Sequence, residues 1–121
     1  MTLPTDGAAR KHYPLATGLL DYFPAALAEV ARLSWVGNAK HNPGEPLHHA
    51  RGKSMDHADC ILRHLTQRGE FDDVECVDPE TGAKTVYQVR HSVCLAWRAL
   101  ALVQEELEAA GAPLARGAQV T

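Results

Sequence analysis

The chain has 121 residues, 45% hydrophobic and 22% charged, with a formal net charge of -3. These totals describe one soluble globular domain with a single core, and they exclude the basic footprint of a nucleic-acid binder. No apolar run approaches the ~18 residues of a membrane span, and no signal peptide is visible at the N-terminus, so a cytoplasmic protein without a membrane partner is expected.

Residues 1–20, with Pro4, Gly7, Pro14 and Gly18, read as an irregular arm. "DYFPAALAEVARLSWVG" then predicts a helix over about 21–36: Asp21 caps it, Pro24 suits its first turn, and Gly37 stops it. Residues 38–52, rich in Pro and Gly, read as a loop. A second helix is predicted over about 54–68, with Ser54 as N-cap and Asp56 placed to favour the helix dipole. Residues 71–89 change character. Val74, Cys76, Thr85, Val86, Tyr87 and Val89 favour strand and "DPETGAK" is turn chemistry, so a short β-hairpin or a loop is inserted there. A third helix over about 90–110 ends at Gly111 and Pro113, and 111–121 read as a frayed tail.

The expected fold class is therefore all-α: three main helices in a compact bundle over residues 21–110, with the hairpin or loop before the last. On the third helix Val93, Ala96, Trp97, Leu100, Val103 and Leu107 form one apolar stripe, while Leu95 and Leu102 lie opposite. A helix apolar on two sides needs neighbours on both, so completion by homo-oligomerisation is expected.

The chemistry concentrates in "KSMDHADCILRHL", residues 53–65. Met55, Ala58, Ile61, Leu62 and Leu65 are expected to make the buried stripe of its helix, and Asp56, His57, Asp59, Cys60, Arg63, His64 and Gln67 share the other side. His57 and His64 stand about 10 Å apart along the axis, too far for both to clamp one ion through ~2 Å bonds. Further ligands would have to come from Glu70, Asp72, Asp73 or His91. Taken alone, the arc reads first as the wet face of a helix, with Asp59 and Arg63 an ordinary i,i+4 pair. Arg98 and His91 share one side of the third helix with Leu95 and Leu102. A cation in apolar company needs a partner, either a substrate anion or a carboxylate from another helix. Lys40 and Lys53 flank the Gly/Pro-rich loop and could meet phosphates as point charges. The three cysteines, Cys60, Cys76 and Cys94, form no C-x-x-C pair, which argues against a zinc ribbon and for reduced thiols.

"GNAKHNPGEPL", "GKSMDHADCILRHL" and "AWRALALVQ", within a stretch covering about residues 10–109, resemble small phage and prophage proteins of the dATP/dGTP diphosphohydrolase-like (N-terminal domain) type. That resemblance implies an all-α enzyme of the nucleotide pool, in the host cytoplasm if phage-encoded. It would cleave purine deoxynucleoside triphosphates to the monophosphate and pyrophosphate with a divalent metal, Mg²⁺ or alternatively Mn²⁺ or another transition ion. Carried onto this chain, it implies metal ligation by Asp56 with Glu70 or Asp73, acid–base work by His57, His64 and His91, and phosphate binding by Lys40, Lys53, Arg63 and Arg98. The E-x-x-E and E-x-x-D pairs of all-α pyrophosphohydrolases are not at the expected positions. Two other readings stay open: a histidine/aspartate metal phosphohydrolase built on Asp56, His57, His64 and His91, and a non-catalytic oligomerisation or protein-binding module.

Overall fold

The computed structural model describes residues 3–49 and 55–118. It corrects the expected fold class. The chain is not an all-α bundle but a mixed α/β molecule, in which a two-stranded antiparallel sheet supplies part of the core. The cause lies in residues 71–90, whose β-branched and aromatic residues alternate between an inward and an outward face.

The element order is α1 (Gly7–Arg10), α2 (Pro24–His41), α3 (His57–Thr66), β1 (Phe71–Val77), β2 (Lys84–Arg90) and α4 (His91–Ala109). The expected irregular arm contains structure of its own. Asp6 caps the single turn of α1 by accepting a hydrogen bond from the Ala9 amide at 3.1 Å, and Ala16–Leu20 form one wide π-helical turn. Asp21 closes that turn, its amide bonded to the Ala16 carbonyl at 2.8 Å, so it does not cap α2. Gly37 does not stop α2 either, and the helix runs on through it to His41. Asn38 then pins the loop that follows. Its amide nitrogen donates to the Glu45 carbonyl at 2.9 Å, and its carbonyl oxygen accepts from Asn42 and from the His48 amide. Much of the "GNAKHNPGEPL" motif thus serves to shape this loop.

The hairpin pairs Phe71 with Arg90 through Val77 with Lys84. Asp78 makes its turn: one carboxylate oxygen accepts from the amides of Glu80 and Thr81, and Gly82, at φ +73°, closes the loop where a side chain would be strained. Because the strands are in register to their ends, the chain leaves β2 beside the point where it entered β1. The amide of His91 bonds the carbonyl of Glu70 at 3.1 Å, and α4 folds back antiparallel along α3. The tail beyond Gly111 is also partly shaped, with the Ala115 amide bonded to the Glu108 carboxylate at 3.0 Å.

The buried core is small: Val36 from α2, Val89 from β2 and Val93 from α4, flanked by Val30, Leu33, Val74, Tyr87 and Cys94. Trp35 meets Tyr87 edge-on at 5.4 Å, and the Arg32 guanidinium donates to the Gln88 carbonyl at 2.9 Å, fastening α2 to the sheet. Among the described residues no helix is long and apolar enough to cross a membrane.

Val36 is 1% exposed at the centre of this core. Val36→Ala is expected to lower unfolding free energy by about 2 kcal/mol, whereas Val86→Ala on the outer sheet face changes it by less than about 0.5 kcal/mol. Urea unfolding followed by circular dichroism measures both.

Candidate functional site

The antiparallel packing of α3 on α4 builds one polar face from both helices. Asp56 stands at the N-cap of α3, yet its carboxylate makes no capping bond to the helix. It turns toward α4 and lies 3.8 Å from an Arg98 nitrogen, while its second oxygen accepts from the Cys60 thiol at 3.5 Å. Arg63 completes this edge, one guanidinium nitrogen 3.9 Å from the Cys60 sulfur.

His57, the first residue of α3, is held from both sides by α4. Its Nε2 lies 2.5 Å from a Glu105 carboxylate oxygen, and its Nδ1 lies 3.2 Å from Nη1 of Arg98. A guanidinium only donates and a carboxylate accepts, so this geometry requires the tautomer with hydrogen on Nε2 and a lone pair on Nδ1. Arg98 and Glu105 are two turns apart, about 10 Å along the helix, and the imidazole fills the gap between them. The partner that Arg98 needed is therefore local: Asp56, with His57 between it and Glu105.

At the other end of the same face His64 and His91 meet, Nδ1 to Nδ1 at 2.9 Å. One ring must donate and the other accept, so the pair holds a single proton between the two nitrogens. His91 is 7% exposed, and burial is the main cause that pushes the His64 pKa below its ordinary 6.5. The nearby positive charges of Arg63, His91 and Arg98 push the same way, against the Asp72 carboxylate. Burial likewise raises the pKa of the Cys94 thiol, with Asp72 adding to it.

The structure thus gathers Asp56, His57, Arg63, His64, His91 and Arg98 from the sequence-predicted set. The others fall elsewhere. Lys40 is exposed in the last turn of α2, a helix that packs on α4 and β1. Lys53 and the expected cap Ser54 lie outside the described residues. Glu70 contributes its backbone carbonyl to the helix junction, and its side chain is exposed. Asp73 sits on the outer face of β1, since Val74 and Cys76 take the inner one. Asp56 and Glu70 flank opposite ends of a ten-residue helix, about 15 Å apart. The proposed metal ligands Asp56, Glu70 and Asp73 therefore do not converge, and the described residues hold no group of three or more His, Cys, Asp or Glu placed for a metal ion. The donor set of the described residues does not fit a preassembled Mg²⁺ centre. The four residues of a histidine/aspartate metal site divide in the same way, His57 with Asp56 at one end of α3 and His64 with His91 at the other.

Sequence reasoning gave Glu105 no role, and it named Asp72 and Cys60 as candidates without ranking either. Glu105 shares the wheel position of Arg98 seven residues earlier, a signal that marks one side of α4 as polar but does not say that His57 lies against it. Asp72 has the inward parity of Val74 and Cys76, a signal that could have ranked it above Asp73.

The low pKa of His64, and that of His49, which burial and then the charge of His48 also lower, have one consequence for stability. The unfolded chain takes up these protons at higher pH than the folded one, so stability is full above 6.5 and falls as pH drops below it. Urea midpoints measured through that range should decline on acidification, and His64→Asn should flatten the decline. Compared with protein-family profiles, with curated proteins and with solved structures, the chain matches none.

Proposed function

We propose that this chain is a subunit of a cytoplasmic nucleotide phosphohydrolase that cleaves dATP or dGTP to the monophosphate and pyrophosphate. The observation that carries the reading is the joining of Arg63, Arg98, His57, His64 and His91 on one α3–α4 face. The motif resemblance to dATP/dGTP diphosphohydrolase-like phage proteins supplies the substrate class, and these residues lie within it.

Two guanidinium groups on one face suit a polyphosphate, whose charge grows on the bridging and leaving oxygens as the bond breaks. Beside them His57 has the arrangement of an oriented base: Glu105 accepts its Nε2 hydrogen, leaving the Nδ1 lone pair on the Arg98 side. A phosphate that draws Arg98 away would free that lone pair to take a proton from water. Glu105 would stabilise the imidazolium so formed. No step is assigned to a metal held by the chain's own carboxylates, because Asp56, Glu70 and Asp73 do not meet.

The rival reading, a non-catalytic oligomerisation module, is favoured by one observation, the exposed apolar stripe of α4 at Leu100, Val103 and Leu107. A panel of nucleoside triphosphates, supplied with Mg²⁺ and with Mn²⁺ and scored for pyrophosphate against phosphate release, separates the two. Pyrophosphate from dATP or dGTP is expected, and His57→Ala or Arg98→Ala should reduce the rate by about 100-fold or more. Inactivity of the folded protein across the whole panel would abandon the enzyme for the module.

A further inference from the structure

The surface of the chain is too large for its mass. A compact monomer of 13.1 kDa exposes about 6,400 Å², whereas this chain exposes 8871 Å², an excess of roughly 2,500 Å². A standard interface removes about 800 Å² from each partner and an obligate one more, so the excess is of the size that a stable dimer buries. The N-terminal arm accounts for part of it, with Tyr13, Leu15, Leu20 and Phe23 all more than half exposed. Helix α3, with Leu62 and Leu65, has an uncovered apolar side, and the longer α4 offers a more extended one. Its Arg98 and Glu105 side packs on α3 and its Val93 and Trp97 side on α2. Leu100, Val103 and Leu107, on the side turned away from α3, remain 50%, 45% and 52% exposed.

We infer that this stripe is the seat of a second copy of the same chain, with α4 packed antiparallel on its symmetry mate around a two-fold axis near Val103. A two-fold interface must be self-complementary, and the stripe meets that demand. With Val103 at its middle, Leu100 of each helix falls toward Leu107 of the other, and the small residues Ala96 and Ala99 let the helices approach. No charged side chain lies within the stripe, so pairing buries no unmatched charge. Two helices at the usual 8–10 Å separation bring facing Cα atoms near an axis within the span of a disulfide. The inference rests on reading the chain as one subunit of an assembly, and not on its being a nucleotide hydrolase.

Sedimentation equilibrium at micromolar concentration is expected to give about 26 kDa, twice the 13.1 kDa of the chain. Val103→Lys, at an exposed position, should leave helix content intact and weaken the dimer by about 100-fold or more, giving the monomer mass. Should that variant fail to fold, Val103→Cys reads the same geometry. Under mild oxidation it should form a disulfide-linked dimer faster than the wild-type chain, and faster than Leu62→Cys on the exposed side of α3. A monomeric wild type would overturn the assembly itself. A dimer that withstands Val103→Lys, or a Val103→Cys chain that links no faster than Leu62→Cys, would overturn this face as its seat. None of these readouts involves a nucleotide, so they are independent of the hydrolase assay.

Discussion

The antiparallel register that sets Phe71 opposite Arg90 returns the chain to the end of α3 after a hairpin of two seven-residue strands, and the α3–α4 arrangement depends on that return. Since α4 starts where the hairpin closes, His91 begins level with the last turns of α3, and the antiparallel course then carries Arg98 and Glu105 to its first turn. A one-residue slip would turn Val74, Cys76 and Val89 to solvent. It would also move the start of α4 relative to His64. The sheet therefore acts less as a layer of the fold than as the clamp that sets the phase between two helices.

Between those helices the polar groups satisfy one another. The carboxylate of Glu105, the His57 ring and the Arg98 guanidinium form a continuous line, and Asp56 meets the same guanidinium from the α3 side. Charges drawn partly out of water persist only when paired and hydrogen-bonded, so this line belongs to the stability of the helix pair as well as to any chemistry at its surface. The His64–His91 contact has a different character. It tolerates one shared proton and is opposed by the surrounding arginines when a second arrives, which makes this end of the face the acid-sensitive one.

The core explains why the polar face and the outer surface carry so much of the molecule's character. Three valines form its buried centre, and polar fastenings hold α2 in place: Arg32 donates to the Gln88 carbonyl of the sheet, and the Trp97 indole of α4 donates to the Ser34 hydroxyl. In so small a chain the helices have more apolar sides than neighbours to cover them. The stripe on α4 is one instance, and its opposite side, with Arg98 and Glu105, is covered by α3. The expected buried stripe of α3 is another: Met55, Leu62 and Leu65 stay exposed because α3 turns His57 and His64 toward α4 instead.

The positions of α3 and α4, the hairpin residues, the stop at Gly111, and the polar arc of Asp56, His57, Arg63 and His64 were all legible in the sequence, because periodicity, capping and turn chemistry act over a few residues. The extent of α2 was not. Gly37 has the residue type of a stop, but helical hydrogen bonds continue through it, and open space surrounds the position where a Cβ would stand. The fold class also escaped, since the hairpin was read as an insert in a helical bundle whereas Val89 and Tyr87 make it part of the core. The sequence by itself determined which residue types could do chemistry and on which side of each helix they lie. Tertiary structure alone decided which of them meet: Glu105 with His57, His64 with His91, and Asp73 with neither. Those pairings depend on the phase of one helix against another, set by strand register 20 or more residues away, and no local pattern records it.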